Sequence, residues 1–361
     1  MNRCTIPFFG PFNFQIDQHS VSPCCNVNGS KLDAVNGIFT DDVTSIRNSI
    51  LANERHDLCS KCWSITDNGG QSMRTRYSKH DSIDWGSVTL DQLPNKVQLA
   101  FSNKCQMQCI YCNPISSVMW EKELGTIHQG SKDITPVLDL LKKMSLTDIV
   151  ITGGEPMLND DCINFLLDLD FDPTRKIILV TNLSYGKQTF NKLLNIINKH
   201  PNIRISCSID NIGDNVSRKY LNWELWDTNF KDLVNKLQSR KKFSDAFIDA
   251  RVTLNAFNYK KIGDIFRYVL DFRKQGLQRV TVVMGSVGAD ELASLNSIEV
   301  DKNYKVDISV SDFNLLNRYE KSLIDSVNNM IQNSQFNKEQ ADRATVFFTK
   351  HIKDLTNTSV V

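Results

Sequence analysis

From residue 97 onward the chain alternates short apolar runs with amphipathic stretches, six times over. The runs at 97–102, 148–152, 176–181, 203–208, 249–255 and 279–284 have the length and side-chain character of strands. Between them, 135–144, 162–169, 188–198, 230–241 and 259–274 carry apolar residues at helical spacing. A strand followed by a helix, repeated, buries both elements only as a parallel sheet with helical crossovers. The expected class is therefore α/β.

The flanks read differently. Residues 1–96 are rich in Gly, Ser, Asn and Asp, show one helical stretch at 41–53, and have little core of their own. Such a segment needs a cross-link or a metal to hold it. Beyond residue 287 the pattern is mainly helical, at 311–334 and 337–355. Three regions are expected: a Cys-rich module over 1–96, a core over 97–287 and a helical extension over 288–361.

Net charge is +1 with 23% charged residues, so no global basic field argues for nucleic acid. The run Arg240-Lys241-Lys242 reads as a solvated helix end. No stretch approaches the roughly 20 apolar residues of a membrane span. The start, MNRCTIPFFGPFNFQIDQHS, lacks the continuous apolar region of a signal peptide. A cytoplasmic location is expected, where thiols stay reduced. Ten cysteines, seven of them in three tight groups, then point to metal.

The segment NKCQMQCIYCNP sets Cys105, Cys109 and Cys112 at spacings of four and three. Structural zinc takes four ligands, and no His or Cys follows at finger spacing; the next are His128 and Cys162. An iron–sulfur cubane held by three cysteines instead leaves one iron open to an outside ligand. Cys105-x3-Cys109-x2-Cys112, with Tyr111 just before the last cysteine, resembles the signature of the radical S-adenosylmethionine (radical SAM) enzymes. ITGGEP at 151–156, closing the second strand, is similar to that family's glycine-rich motif.

The resemblance implies a partial, TIM-like (β/α)6 barrel with its chemistry at the carboxyl ends of the strands. It implies a [4Fe–4S] cluster on Cys105, Cys109 and Cys112, with S-adenosylmethionine bound near Tyr111, Gly153, Gly154, Glu155 and Pro156. Glu155 would fix the turn or accept from the cofactor's ammonium. LVTNLS and SCSIDN, ending strands three and four, are similar to further elements of the family and add Asn182, Ser208 and Asp210. Arg218 would pair with the cofactor's carboxylate or form a surface ion pair. At Asn255 and Met284 packing or loop capping is expected, and Cys162 and Cys207 read as buried fillers.

Upstream, SPCC, LCSKCW and GGQSMR resemble the auxiliary-cluster ("twitch") module of radical SAM proteins, placed here before the core. That resemblance implies a second [4Fe–4S] cluster on Cys24, Cys25, Cys59 and Cys62, with Cys4 as a substitute for Cys24 and zinc as the alternative metal. Its expected position is over the mouth of the barrel. The implied partners are a peptide, protein or small-molecule substrate and an electron donor such as flavodoxin or ferredoxin, with no membrane and nucleic acid disfavoured. The rivals are a non-enzymatic zinc or iron–sulfur module and a radical SAM fold kept as an inactive scaffold.

Overall fold

The computed structural model describes residues 3–32, 37–78, 83–127, 130, 133–213, 215–238, 247–277, 280–287 and 291–351. The basic run 240–242 and His128 lie outside them.

The amino-terminal segment forms α1 (Ile6–Phe9), β1 (Phe12–Gln15), β2 (Ser20–Ser22), β3 (Ser30–Lys31), α2 (Asp41–Leu51), α3 (Ser60–Asp67) and α4 (Met73–Ser78). The core follows with β4 (Lys96–Ala100), β5 (Gln108–Cys109), α5 (Val118–Leu124), α6 (Thr135–Lys142), β6 (Asp148–Thr152), α7 (Asp160–Asp168), β7 (Lys176–Thr181) and α8 (Lys187–Lys199). It continues through β8 (Arg204–Ser208), β9 (Arg218–Lys219), α9 (Trp223–Gln238), β10 (Ile248–Leu254), α10 (Ile262–Lys274) and β11 (Val280–Ser286). The extension is α11 (Val310–Leu315), α12 (Arg318–Asn333) and α13 (Lys338–His351).

One open sheet runs in the order β11-β10-β8-β7-β6-β4-β1-β2-β3. Every neighbour from β11 to β1 is parallel, while β2 and β3 pair antiparallel at the edge. The six expected strands are present, within a residue or two of their expected ends. A seventh parallel strand was not expected: β1 lies beside β4, with Phe12 opposite Val97 and Gln15 opposite Ala100.

The boundary drawn at residue 96 therefore does not separate two bodies. Phe12, Phe14 and Ile16 belong to the same core as Val97 and Leu99. Residues 12–31 complete the sheet, and the cysteines hang from it. Arg47 reinforces the join, donating to the carbonyls of Pro7 (2.7 Å), Gln92 (2.7 Å) and Leu90.

Strand alternation sorts the two faces. Val97, Leu99, Ile149, Ile151, Ile177, Leu179, Ile205, Ala250 and Val252 share one core with Leu141, Leu166, Ile196, Leu233 and Phe266 of the crossover helices. Cys162 and Cys207, both fully buried, are fillers on this side as expected. The opposite positions, among them Gln98, Val150, Thr152, Ile178, Val180, Arg251 and Thr253, are only half-buried. Helices cover one face, and the other is left as the lumen of a partial barrel.

Candidate functional site

The cysteine loop leaves the carboxyl end of β4 and is held on three sides. Asn103 Nδ2 donates to the carbonyl of Pro114 and to Glu121, each at 2.9 Å. Ser117 Oγ donates to the Met107 carbonyl (2.6 Å), and the buried Trp120 donates from its indole to the Cys109 carbonyl (2.7 Å). Trp120 is stacked in turn on Phe347 of α13, with ring centroids 5.5 Å apart. The helical extension thus buttresses the loop, a role that nothing in its sequence announces.

Opposite the loop, β5 and β9 form a two-residue antiparallel ladder that faces Cys109 with Arg218. Arg218 Nη1 donates to the Tyr111 hydroxyl at 2.6 Å, and the hydroxyl donates to Asp210 Oδ2. Asp210 Oδ1 accepts the N–H of Thr253 at 2.7 Å, which ties the trio to β10. Both Asp210 and Arg218 are buried, so the surface ion pair considered for Arg218 is ruled out. Burial pushes the Asp210 carboxyl up, while the guanidinium beside it pulls the other way.

The thiols respond to these surroundings. Burial pushes Cys105 up to about 12. Cys109 is lowered to about 7, first by the hydrogen bond it shares with Cys112 and then, against burial, by the Arg218 guanidinium. Cys112 is pushed up by the same hydrogen bond and by burial. A guanidinium next to the triad favours the thiolate form, which is the form that ligates metal.

The glycine motif is knitted to this loop. Gly154 N–H donates to the Ser102 carbonyl (2.9 Å) and Glu155 N–H to the Lys104 carbonyl (2.7 Å). Gly153 sits at φ +111°, a conformation that L side chains rarely adopt. Pro156 opens a single helical turn behind it.

Of the two roles considered for Glu155, the structure supports fixing the turn. Its carboxylate accepts from Asn182 N–H (2.6 Å), Thr181 Oγ1 (2.7 Å) and Met157 N–H (3.1 Å), all of them buried. Asn182 is paired amide to amide with Gln106, Nδ2 to Oε1 at 3.0 Å and Nε2 to Oδ1 at 3.1 Å. Gln106 also donates to the Ser184 carbonyl at 2.8 Å, so it braces the Cys105 side of the loop. Sequence reading missed Gln106, whose only signal is its place beside Cys105.

Ser208 closes β8 on the lumen face, where it lies level with Arg251 of β10 and is buried. Asn255 caps its loop as expected, accepting from Ser217 Oγ and Phe257 N–H and donating to the Thr253 carbonyl.

All ten cysteines are free thiols. Among the described residues, no three His, Cys, Asp or Glu side chains are drawn to metal-ligand distance. What the fold fixes is the convergence of the loops that carry them. Around Cys105, Cys109 and Cys112 the fit to a three-ligand cluster is good. The donors are thiols, and among the described residues no fourth protein ligand joins them and the buried Arg218 Nε has no partner.

A second convergence involves Cys4, Cys24, Cys59 and Cys62, which line one cavity with Ile6, Val27, Ile46, Ile50 and Trp63. Cys25 is exposed and lines no part of it, so Cys4 takes the place expected for Cys25. Burial pushes Cys4 up to about 12 and Cys24 and Cys59 up to about 11, and the neighbouring thiols add to each shift.

This set does not sit over the barrel mouth. α1 precedes β1, and β2 returns antiparallel with Ser22 opposite Asn13, so Cys4 and Cys24 lie at the amino ends of the parallel strands. The Cys59–Cys62 helix joins them there. The Cys105 loop leaves the opposite end, about 16 Å away for a five-residue strand. The expected position over the mouth of the barrel is overturned by this connectivity.

Residues 72–206 match a family model described as a 4Fe-4S single cluster domain, a span that holds the cysteine loop, the glycine motif and Asn182. The chain is 24% identical over 194 residues to GTP 3′,8-cyclase of Sulfurovum sp. (strain NBC37-1), covering 52% of this chain and 54% of that protein. It is 26% identical over 165 residues to 7-carboxy-7-deazaguanine synthase of Clostridium acetobutylicum, covering 45% and 67%. The first match thus spans about half the length of the relative. A solved structure of TYW1 with a lysine-pyruvate adduct bound overlaps 66% of this chain and 72% of its own at 16% identity, with a TM-score of 0.30, too loose to carry an argument. The three thiols on one loop and the glycine turn bonded to it fall within this matched region, over which the chain is similar to radical SAM enzymes.

Proposed function

We propose that the protein cleaves S-adenosylmethionine and transfers the resulting radical character to a substrate by taking a hydrogen atom from it. The carrying observation is the three-thiol loop at the carboxyl ends of the strands, with no fourth protein ligand and no partner for the Arg218 Nε beside it among the described residues. Cys105, Cys109 and Cys112 would hold a [4Fe–4S] cluster, which would supply the one-electron reduction that cleaves the bound sulfonium.

The chain's own part is binding and orientation. Arg218 offers a guanidinium edge to the cofactor's carboxylate, and Tyr111 and Asp210 hold that guanidinium in place. Gly153 and Gly154 bring the turn's backbone within reach of the amino group. Glu155, Asn182 and Gln106 keep the two loops in register, and Ser208 offers a hydroxyl from the lumen wall. An electron carrier such as flavodoxin or ferredoxin supplies the reducing equivalent.

The substrate we propose is a small molecule. The matched relatives are named for GTP and for 7-carboxy-7-deazaguanine, both guanine-type molecules. The peptide or protein reading leaned on an auxiliary cluster facing the substrate, and the amino-end position of Cys4, Cys24, Cys59 and Cys62 removes that support. Those four thiols suit a second metal, an iron–sulfur cluster or zinc, that staples the amino-terminal segment. No described helix is long and apolar enough to cross a membrane.

The test is anaerobic reconstitution with iron and sulfide, followed by reduction in the presence of S-adenosylmethionine. The wild type should form 5′-deoxyadenosine, and Cys105→Ala should form none and lose the visible absorption of one cluster. Undiminished 5′-deoxyadenosine from Cys105→Ala would overturn the proposal, and zinc in place of iron at this loop would favour a non-enzymatic metal module.

A further inference from the structure

The lumen face of the sheet carries charge that the cluster chemistry does not use. On β8 and β10, Arg204, Ser206 and Ser208 stand beside Asp249, Arg251 and Thr253, with Asp249 level with Ser206 and Arg251 level with Ser208. Arg204 grips Asp249 through two hydrogen bonds, Nε to Oδ2 at 2.5 Å and Nη2 to Oδ1 at 2.6 Å. That carboxylate is thereby spoken for. Arg251 donates only from Nε, to Ser206 Oγ at 2.7 Å. Its two Nη groups have no partner among the described residues.

The charges around this part of the lumen do not balance. Higher up, Arg218 is matched by Asp210, and lower down Arg204 is matched by Asp249. The phenol of Tyr319 lies near both lower arginines. Arg251 is left over. Burial lowers its pKa from the ordinary arginine value, but a guanidinium stays charged throughout the working range. A half-buried cation with an open fork, beside the buried Ser206 and Asp249, is incomplete without an anion.

We infer that Arg251 is the centre of an oxyanion site in the lumen, which takes the phosphate or carboxylate of the substrate in a two-pronged grip. The planar fork matches either group. Ser206 pins the guanidinium through Nε, so its orientation is set before the anion arrives. Arg251 lies two residues before Thr253, whose N–H is bonded to Asp210, so the site is about 7 Å along the strand from the layer that meets the cysteine loop. An anion held there leaves the rest of the molecule extending toward the cluster. The inference rests on the radical SAM reading only in calling the bound molecule the substrate.

The experiment is calorimetric titration of the reconstituted full-length protein with inorganic pyrophosphate and, separately, with succinate. The wild type should bind one of them, which distinguishes a phosphate from a carboxylate as the natural group. Arg251→Gln should weaken that binding at least tenfold. Asp249→Asn should tighten it several-fold, because it releases Arg204 into the same space. If Arg251→Gln does not fold, Arg251→Lys keeps the charge without the fork and should still weaken binding. Failure of both anions to bind, or binding indifferent to Arg251 and Asp249, would overturn the site. Formation of 5′-deoxyadenosine by the wild type tests the cluster chemistry separately, so the two readings can fail independently.

Discussion

The N–H of Glu155 donates to the carbonyl of Lys104 across 2.7 Å, and that bond joins the two motifs that define the site. One motif closes β6 and the other leaves β4, and these strands are direct neighbours with Ala100 opposite Thr152. The candidate site is thus assembled by adjacent strand ends rather than by one long loop.

This junction leaves no room at Gly154. A Cβ there would lie 2.7 Å from the carbonyl carbons of Asn103 and Lys104, and backbone cannot move aside cheaply. Gly154→Ala should cost about 1–3 kcal/mol, as overpacking does, and should displace the cysteine loop. Thermal unfolding and iron content after reconstitution check both effects. Gly186→Ala is the control, because nothing lies within 4 Å of its Cβ position and its φ is −68°. It should stay within about 0.5 kcal/mol of the wild type.

Glu155 predicts a pH dependence of stability. Burial pushes its carboxyl up to about 7, against the hydrogen bonds from Asn182, Thr181 and Met157 that pull it down. Its ordinary value is 4.5, so the folded chain holds the proton more tightly than the unfolded chain. The resulting contribution is complete below about pH 4.5 and is lost as pH rises through about 7. Relative to Glu155→Gln, the wild type should lose about 2–3 kcal/mol between pH 5 and pH 8. Urea unfolding at a series of pH values measures the difference, and parallel curves for the two proteins would contradict it.

Cys4 and Cys25 should separate cleanly in metal content. In a background with Cys105, Cys109 and Cys112 all changed to alanine, any remaining tightly bound metal belongs to the amino-terminal set. Cys4→Ala should lower that metal several-fold, since Cys4 lines the shared cavity. Cys25→Ala should leave it unchanged, because that thiol points to solvent. Elemental analysis decides, and the reverse result would return Cys25 to the ligand set.

Much of this was legible before any coordinates. Six strands and five crossover helices showed in the alternation of residues, because a half-buried strand and a one-faced helix leave different periods. Cys105, Cys109, Cys112, Gly153 and Gly154 were legible because close spacing lets chemistry be read from neighbours along the chain. The role of Glu155 was left between two choices, since a carboxylate in a turn looks the same whether its partners are backbone N–H groups or a ligand. Trp120 and Phe347 meet across more than two hundred residues, and no local pattern records that contact.

By itself, the sequence determined the α/β class, the order of the units and the three-thiol motif, all of which are set by local periodicity and spacing. Tertiary structure alone decided where the amino-terminal cysteines go. The direction of β1 beside β4 carries Cys4 and Cys24 to the amino ends of the strands, and strand pairing is a long-range choice that 81 intervening residues between Gln15 and Val97 do not spell out. It also decided which charges meet. Arg204 and Ser206 sit on β8 and Asp249 and Arg251 on β10, and only the register of the two strands satisfies one arginine and leaves the other open.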